Sequence, residues 1–235
     1  MLFRSLDAVL GRVAGRYRDD LAPAIERVWD DGVASVRADL RTWLGLTADA
    51  ATAWVPWRFE LSFGLPVGRR NADPASSAEP VQLDIGVRLR GSIDLVEKSR
   101  AGAIRATDHK TGRVRAQDDT LVGGGETLQP VLYALALEKL VPGTPVESGR
   151  LYYCTQTGKF TPVEIRLGQE ARDSARAVVE AIGDALEEGF LPAAPNRGAC
   201  TYCDYASVCG PNEELRTRRK RREPLAALSK LRGLK

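Results

Sequence analysis

The chain has 235 residues, 43% of them apolar and 28% charged, with 34 basic side chains against 31 acidic ones and a net charge of +3. That balance suits one good-sized soluble domain with helical additions. It gives no compositional sign of a nucleic-acid binder, and no apolar run reaches the ~20 residues that a membrane span needs. The opening MLFRSLDAVLGRVAGRYRDD is interrupted by charges and lacks a signal-peptide core. Four cysteines, three of them close together, point to a metal site in a reducing cytoplasm rather than to a disulfide scaffold.

Residues 2–46 read as helix. Leu6, Val9, Leu10, Val13 and Tyr17 recur at helical spacing, and Ile25, Val28, Trp29, Val33, Val36 and Leu40 do so again. Pro23 separates the two runs near the first turn of the second. Residues 54–65, WVPWRFELSFGL, predict a first strand in which aromatics alternate with polar residues, Glu60 among them. The Pro- and Ser-rich stretch 68–80 predicts a mobile loop. Residues 81–96 return to extended structure, with Asp84 as a surface carboxylate.

The chemistry concentrates in residues 89–112, LRGSIDLVEKSRAGAIRATDHKTG. Two strands, 89–96 and 103–108, are predicted, joined by a polar turn over 97–102. Asp94 lies near the end of the first strand; Asp108 and Lys110 close the second. If the chain stays extended to Lys110, the period of two sets Asp108 and Lys110 on one face. Two carboxylates from neighbouring strands make a hard oxygen site for Mg²⁺ or Mn²⁺. A lysine beside them can orient water or stabilise charge developing on a phosphate. A lone D-x-K at a hairpin end is usually only a solvated ion pair, so the assignment depends on what accompanies it.

The glycine-rich 113–125 predicts a loop, able to drape over a substrate strand. Residues 126–140 predict a helix, with Pro130 in its first turn and Gln129 and Tyr133 sharing a face at i, i+4. A hairpin follows over 150–153 and 161–167, with Cys154 as a packed thiol, and then a helix over 169–188 ending at Gly189. Cys200, Cys203 and Cys209 form C-x₂-C-x₅-C in a Pro/Gly-rich loop, which suits zinc or an iron–sulfur cluster. The basic run 216–222 ends in Arg219, Lys220, Arg221 and Arg222. It is a candidate for weak DNA contact through phosphates, a tether, or a solvated tail.

The order G-x-I-D at 91–94, a short hairpin, D-H-K-T-G at 108–112 and a helix bearing Gln129 and Tyr133 resembles the PD-(D/E)xK nucleases. More narrowly it resembles their RecB/AddB- and Cas4-like nuclease domains, over residues 57–209. The resemblance implies an α/β, restriction-endonuclease-like fold, a central mixed sheet flanked by helices with a C-terminal cysteine-bearing loop. It implies helices over 1–50 packing on the core, a nuclease core over 51–190, a cysteine motif over 191–215 and a basic tail over 216–235. Asp94, Asp108 and the backbone carbonyl of His109 would hold Mg²⁺ or Mn²⁺, and Lys110 would position the water. Gln129 and Tyr133 would line the cleft, and Glu60 falls where the family carries a Glu after its first-strand aromatic. The cysteines would be three ligands of a structural [4Fe–4S] cluster, zinc being the lesser alternative, but no upstream fourth cysteine precedes Cys154. Arg4 stands where the family's metal-binding histidine would be, and a chain lacking its leading segment would account for both departures. The implied activity is metal-dependent cleavage of DNA, at single-stranded ends and as an exonuclease rather than an endonuclease, in recombination or repair beside a helicase subunit. The alternatives are a catalytically decayed DNA-binding or scaffold module and a small zinc-binding regulatory domain.

Overall fold

Amphipathic periodicity at the start of the chain produces a helical hairpin, α1 (Leu2–Leu21) and α2 (Glu26–Ala50), in a computed structural model that describes residues 2–66, 72–116, 119–221 and 223–235. Pro23, which has no N–H to continue a helix, lies in the link between them. Asp7 of α1 pairs with Arg37 at 3.3 Å and with Arg41, which ties the two helices together. No residue of α2 is fully buried. The hairpin meets the body where the Gln156 amide donates to Asp39 at 2.9 Å and where the Trp43 ring meets the His109 ring edge-on at 5.3 Å. Arg4 is exposed on α1.

The sheet runs β1 (Trp54–Phe63), β4 (Gly91–Ser99), β5 (Ile104–Lys110), β6 (Val146–Tyr153), β7 (Pro162–Arg166) in spatial order. All neighbours are antiparallel except β5 and β6. A parallel neighbour needs a crossover, and α3 (Gln129–Leu140) supplies it. Its Val131, Ala134, Leu135, Ala136 and Leu137 are buried against the sheet. Beside it, α4 (Gln169–Glu187) buries Ala171, Ala175 and Val178. Gly149 of β6 decides how closely α3 approaches. A Cβ there would stand 1.9 Å from the Pro130 carbonyl oxygen, so only glycine admits the first turn of α3 onto the strand.

The extended stretch predicted over 81–96 is broken. A short ladder, β2 (Val81–Gln82) with β3 (Arg88–Leu89), precedes β4. The polar turn predicted over 97–102 is shorter than expected, because β4 continues to Ser99 and Glu97 is buried within it. Glu97 stays in the strand because its charge is met from three sides. It takes Arg105 Nε at 2.9 Å and Nη2 at 3.1 Å, Thr107 Oγ1 at 2.6 Å and Arg150 Nη2 at 2.7 Å. Arg105 reaches on to Glu164 at 3.0 Å, so the network laces four strands on the face away from α3.

The first part of the predicted loop, residues 68–71, lies outside the described residues. The cysteine segment forms a 3₁₀ turn over Ala199–Tyr202 and the short α5 (Ala206–Cys209). The basic tail is not simply solvated: after α6 (Glu213–Arg218) the chain turns back as α7 (Ala226–Arg232), and Leu231 and Leu234 pack on the core. No helix among the described residues is long and apolar enough to cross a membrane.

Candidate active site

Strand alternation in β5 puts Arg105, Thr107 and His109 on the face of the buried ion pairs, and Asp108 and Lys110 on the face of α3. Gln129, the first residue of α3, bridges that pair. Its amide nitrogen donates to Asp108 Oδ1 at 2.7 Å and its carbonyl oxygen accepts from Lys110 Nζ at 2.8 Å. Lys110 Nζ closes the triangle 2.6 Å from Asp108 Oδ2. The close seating of Pro130 over Gly149 is what brings the neighbouring Gln129 within reach.

Asp94 joins from β4. Its Oδ2 accepts the backbone N–H of His109 at 2.8 Å. The β4–β5 register pairs Leu95 with Thr107, which sets Asp94 across from Asp108. Glu60 stands one strand further, between the pairs Phe59–Leu95 and Leu61–Ile93 and therefore opposite Asp94. Its φ of 51° is unusual for a strand residue with a side chain. Its Oε2 accepts from Ser92 Oγ at 3.2 Å. Three carboxylates thus occupy neighbouring positions on β1, β4 and β5. Tyr133 lies elsewhere along α3: its ring meets Phe63 edge-on at 6.3 Å, and a Cβ on Gly91 would stand 3.3 Å from its hydroxyl. It therefore caps the start of the Asp94 strand rather than touching Lys110.

Burial pushes the Asp108 carboxyl up from its ordinary range, and the Lys110 ammonium only partly offsets this. Asp108 Oδ2 is buried and takes no hydrogen bond of good geometry. Such an oxygen, beside an Asp94 carboxylate with one oxygen engaged, fits a hard divalent cation. Mg²⁺ commonly uses one or two protein carboxylates and keeps waters. The His109 ring lies between Trp43 and Tyr152 with its Nδ1 3.8 Å from Asp94 Oδ2, and burial lowers its pKa despite that carboxylate.

A cleft of about 1300 Å³ opens beside Lys110 and Gln129 and extends along the β5–α3 connection. A family model described as the PD-(D/E)XK nuclease superfamily matches residues 3–210. The chain belongs to that superfamily. Among its curated relatives is a protein of Myxococcus xanthus (strain DK1622) named CRISPR-associated exonuclease Cas4/endonuclease Cas1 fusion. It is 31% identical over 156 residues, 63% of this chain and 26% of that protein. A protein of the same name from Leptospira interrogans serogroup Icterohaemorrhagiae serovar Lai (strain 56601) is 29% identical over 129 residues, 54% of this chain and 23% of that protein. The chain thus spans about a quarter of the length of these relatives. Neither is named for a helicase.

In this PD-(D/E)XK chain the remaining candidates are dispersed. Among the described residues no group of three or more His, Cys, Asp or Glu side chains is arranged to hold a metal ion. Cys203 and Cys209 are exposed and Cys200 is half-buried. Burial and the Glu213 and Glu214 carboxylates hold the Cys200 thiol above its usual pKa. Cys154 lies against the end of β5, its thiol 3.6 Å from the Lys110 carbonyl. In the basic run, Lys220 Nζ donates to the Ala193 carbonyl at 2.7 Å and Arg221 lies 3.7 Å from Glu223. Arg219 is exposed, and Arg222 lies outside the described residues. None of the three described is brought to the acidic site. Sequence reasoning missed Glu97 and the arginines behind it. The signal was a Glu continuing the Leu95 alternation opposite an Arg in the next strand.

Proposed function

We propose that the chain is a divalent-metal-dependent deoxyribonuclease with residues 51–190 as its catalytic core, acting on single-stranded ends as an exonuclease. The observation that carries the reading is the closed contact of Asp108, Gln129 and Lys110 with Asp94 beside it, in a chain of the nuclease superfamily. Asp94, Asp108 and the His109 carbonyl would hold Mg²⁺ or Mn²⁺, which supplies Lewis acidity and lowers the pKa of a bound water. Lys110 donates to the attacking water or to the phosphate oxygen on which charge develops. Gln129 fixes the Lys110 ammonium and the Asp108 carboxylate relative to each other. Tyr133 steers the strand past β4, and Glu60 is an accessory carboxylate at the end of the row.

The names of the two relatives, each an exonuclease fused to an endonuclease, support an endonuclease as partner before a helicase. The spacing of Cys200, Cys203 and Cys209 supports a structural [4Fe–4S] cluster before zinc, which visible absorbance and iron analysis of the purified protein decide. The activity is tested with 5′-labelled single-stranded DNA and Mn²⁺, beside Asp108→Ala and Lys110→Ala. Wild type should cleave, and each variant should lose at least about 10²-fold, the scale of one lost acid–base or electrostatic group. DNA bound but uncut by all three proteins would favour the scaffold reading instead.

A further inference from the structure

The cleft beside Lys110 has a second wall that the nuclease reading does not use. The glycine turn Gly123–Gly125 is clamped by the last residues described: the Val122 and Gly123 amides donate to the Lys235 carbonyl at 2.6 and 2.9 Å, and Gly124 donates to the Leu234 carbonyl at 2.9 Å. At Gly124 φ is 63°, and a Cβ would stand 3.0 Å from the Arg232 backbone. Glycine is what lets α7 lie so close. Leu231 and Leu234 anchor it on the core.

This docking brings Arg232 and Lys235 to the rim of a cleft whose other side carries Lys110, Arg113 and Arg115. Against these five cations, the described lining holds two carboxylates, Asp119 and Glu126. Asp119 lies 3.7 Å from Lys235, and Glu126 accepts the Asn196 amide at 2.8 Å. Arg113 and Arg115 are exposed and have no ion-pair partner among the described residues. A whole-chain charge of +3 does not account for so local an excess. At about 1300 Å³ the cleft also exceeds the ~300–1000 Å³ of small-molecule sites.

We infer that this cleft, walled by the β5–α3 connection and α7, is the path of one nucleic-acid strand leading from the scissile phosphate. Arg113, Arg115, Arg232 and Lys235 meet its phosphates. The inference rests on the nuclease reading, since Lys110 and Gln129 form its inner end. A two-walled basic groove follows a single backbone without regard to sequence.

The test compares wild type with Arg113→Gln/Arg115→Gln and Arg232→Gln/Lys235→Gln in Ca²⁺. Binding of a fluorescent oligothymidylate of about 12 nucleotides is followed by anisotropy over a salt series. Each pair should weaken binding and flatten log K against log[salt] by about 1.4, two contacts at about 0.7 each on a single strand. All four side chains are exposed, and the second pair gives up only the Arg232 hydrogen bond to the Ala194 carbonyl and the Lys235–Asp119 pair, so melting temperatures should fall little. Gly124→Val, which displaces α7, should reproduce the second pair's loss. Wild-type affinity and slope in both pairs overturn the groove and leave the nuclease reading standing. An equal loss on a duplex of the same length overturns the single-strand assignment. If the wild type neither binds nor cleaves the oligonucleotide, the underlying reading falls, and the groove with it.

Discussion

Gln129 holds both members of the D-x-K pair through opposite ends of one amide. Gln129→Leu keeps the bulk of the side chain but removes donor and acceptor together, leaving Asp108 Oδ1 without its partner. Single-turnover cleavage should fall about 10- to 100-fold with the fold intact, the range expected when a positioning contact is lost. Glu97 makes the opposite kind of contribution, one to stability. Burial pushes its carboxyl up, but the Arg105 hydrogen bonds, the Arg150 and Arg105 charges and Thr107 more than reverse this, so it sits below the ordinary carboxylate range. A depressed folded-state pKa gives stability that is full above the unfolded value and lost as pH falls toward the folded one. Thermal melts in acid should show that loss, and Glu97→Gln should flatten it. The same variant should cost about 3–5 kcal/mol at neutral pH, because it leaves the buried Arg150 guanidinium without its anion and Arg105 with Glu164 alone.

At the scale of elements, periodicity alone reveals α3 and β5, since apolar spacing and the D-x-K alternation agree there. The end of β4 is hidden. A charged residue before Lys98 and Ser99 reads as a turn, and only the arginines of β5 and β6, remote in sequence from one another, show that Glu97 belongs inside. The last helix is hidden for a related reason: the basic run before it suggests a solvated tail, while Leu231 and Leu234 are too few to announce a buried face. Asp94, Asp108 and Lys110 are legible as a set because their order matches a family pattern. Their common face requires only a period of two. Gly149 carries no local signal, since its requirement comes from Pro130 across the sheet. Gly149→Ala should therefore destabilise the fold by about 1–3 kcal/mol as an overpacked contact and weaken cleavage by shifting Gln129. Gly168→Ala, with nothing within 4 Å of the new Cβ, should stay within about 0.5 kcal/mol in the same melts.

Across the whole molecule, Asp108 and Lys110 face α3, while the reverse face carries the ion network and receives Trp43 of the helical hairpin on His109. A cation bound at Asp94 and Asp108 would relieve a desolvated carboxylate and link two strands, so binding should register as stability. At 100 times its Kd, Mg²⁺ or Mn²⁺ should add about 2.7 kcal/mol. The melting temperature should fall on chelation in the wild type and not in Asp108→Ala. The parallel pairing of β5 with β6 gives this assembly an order in time. By residue 110 both aspartates and the lysine have been synthesised, but the second neighbour of β5 and the glycine that seats Gln129 arrive only with residues 146–153. A nascent chain halted before then holds its acids on the three antiparallel strands β1, β4 and β5, with β5 as an open edge and no Gln129 fixed against them. On the proposed activity, competence to cut would be acquired late in synthesis, when the crossover closes.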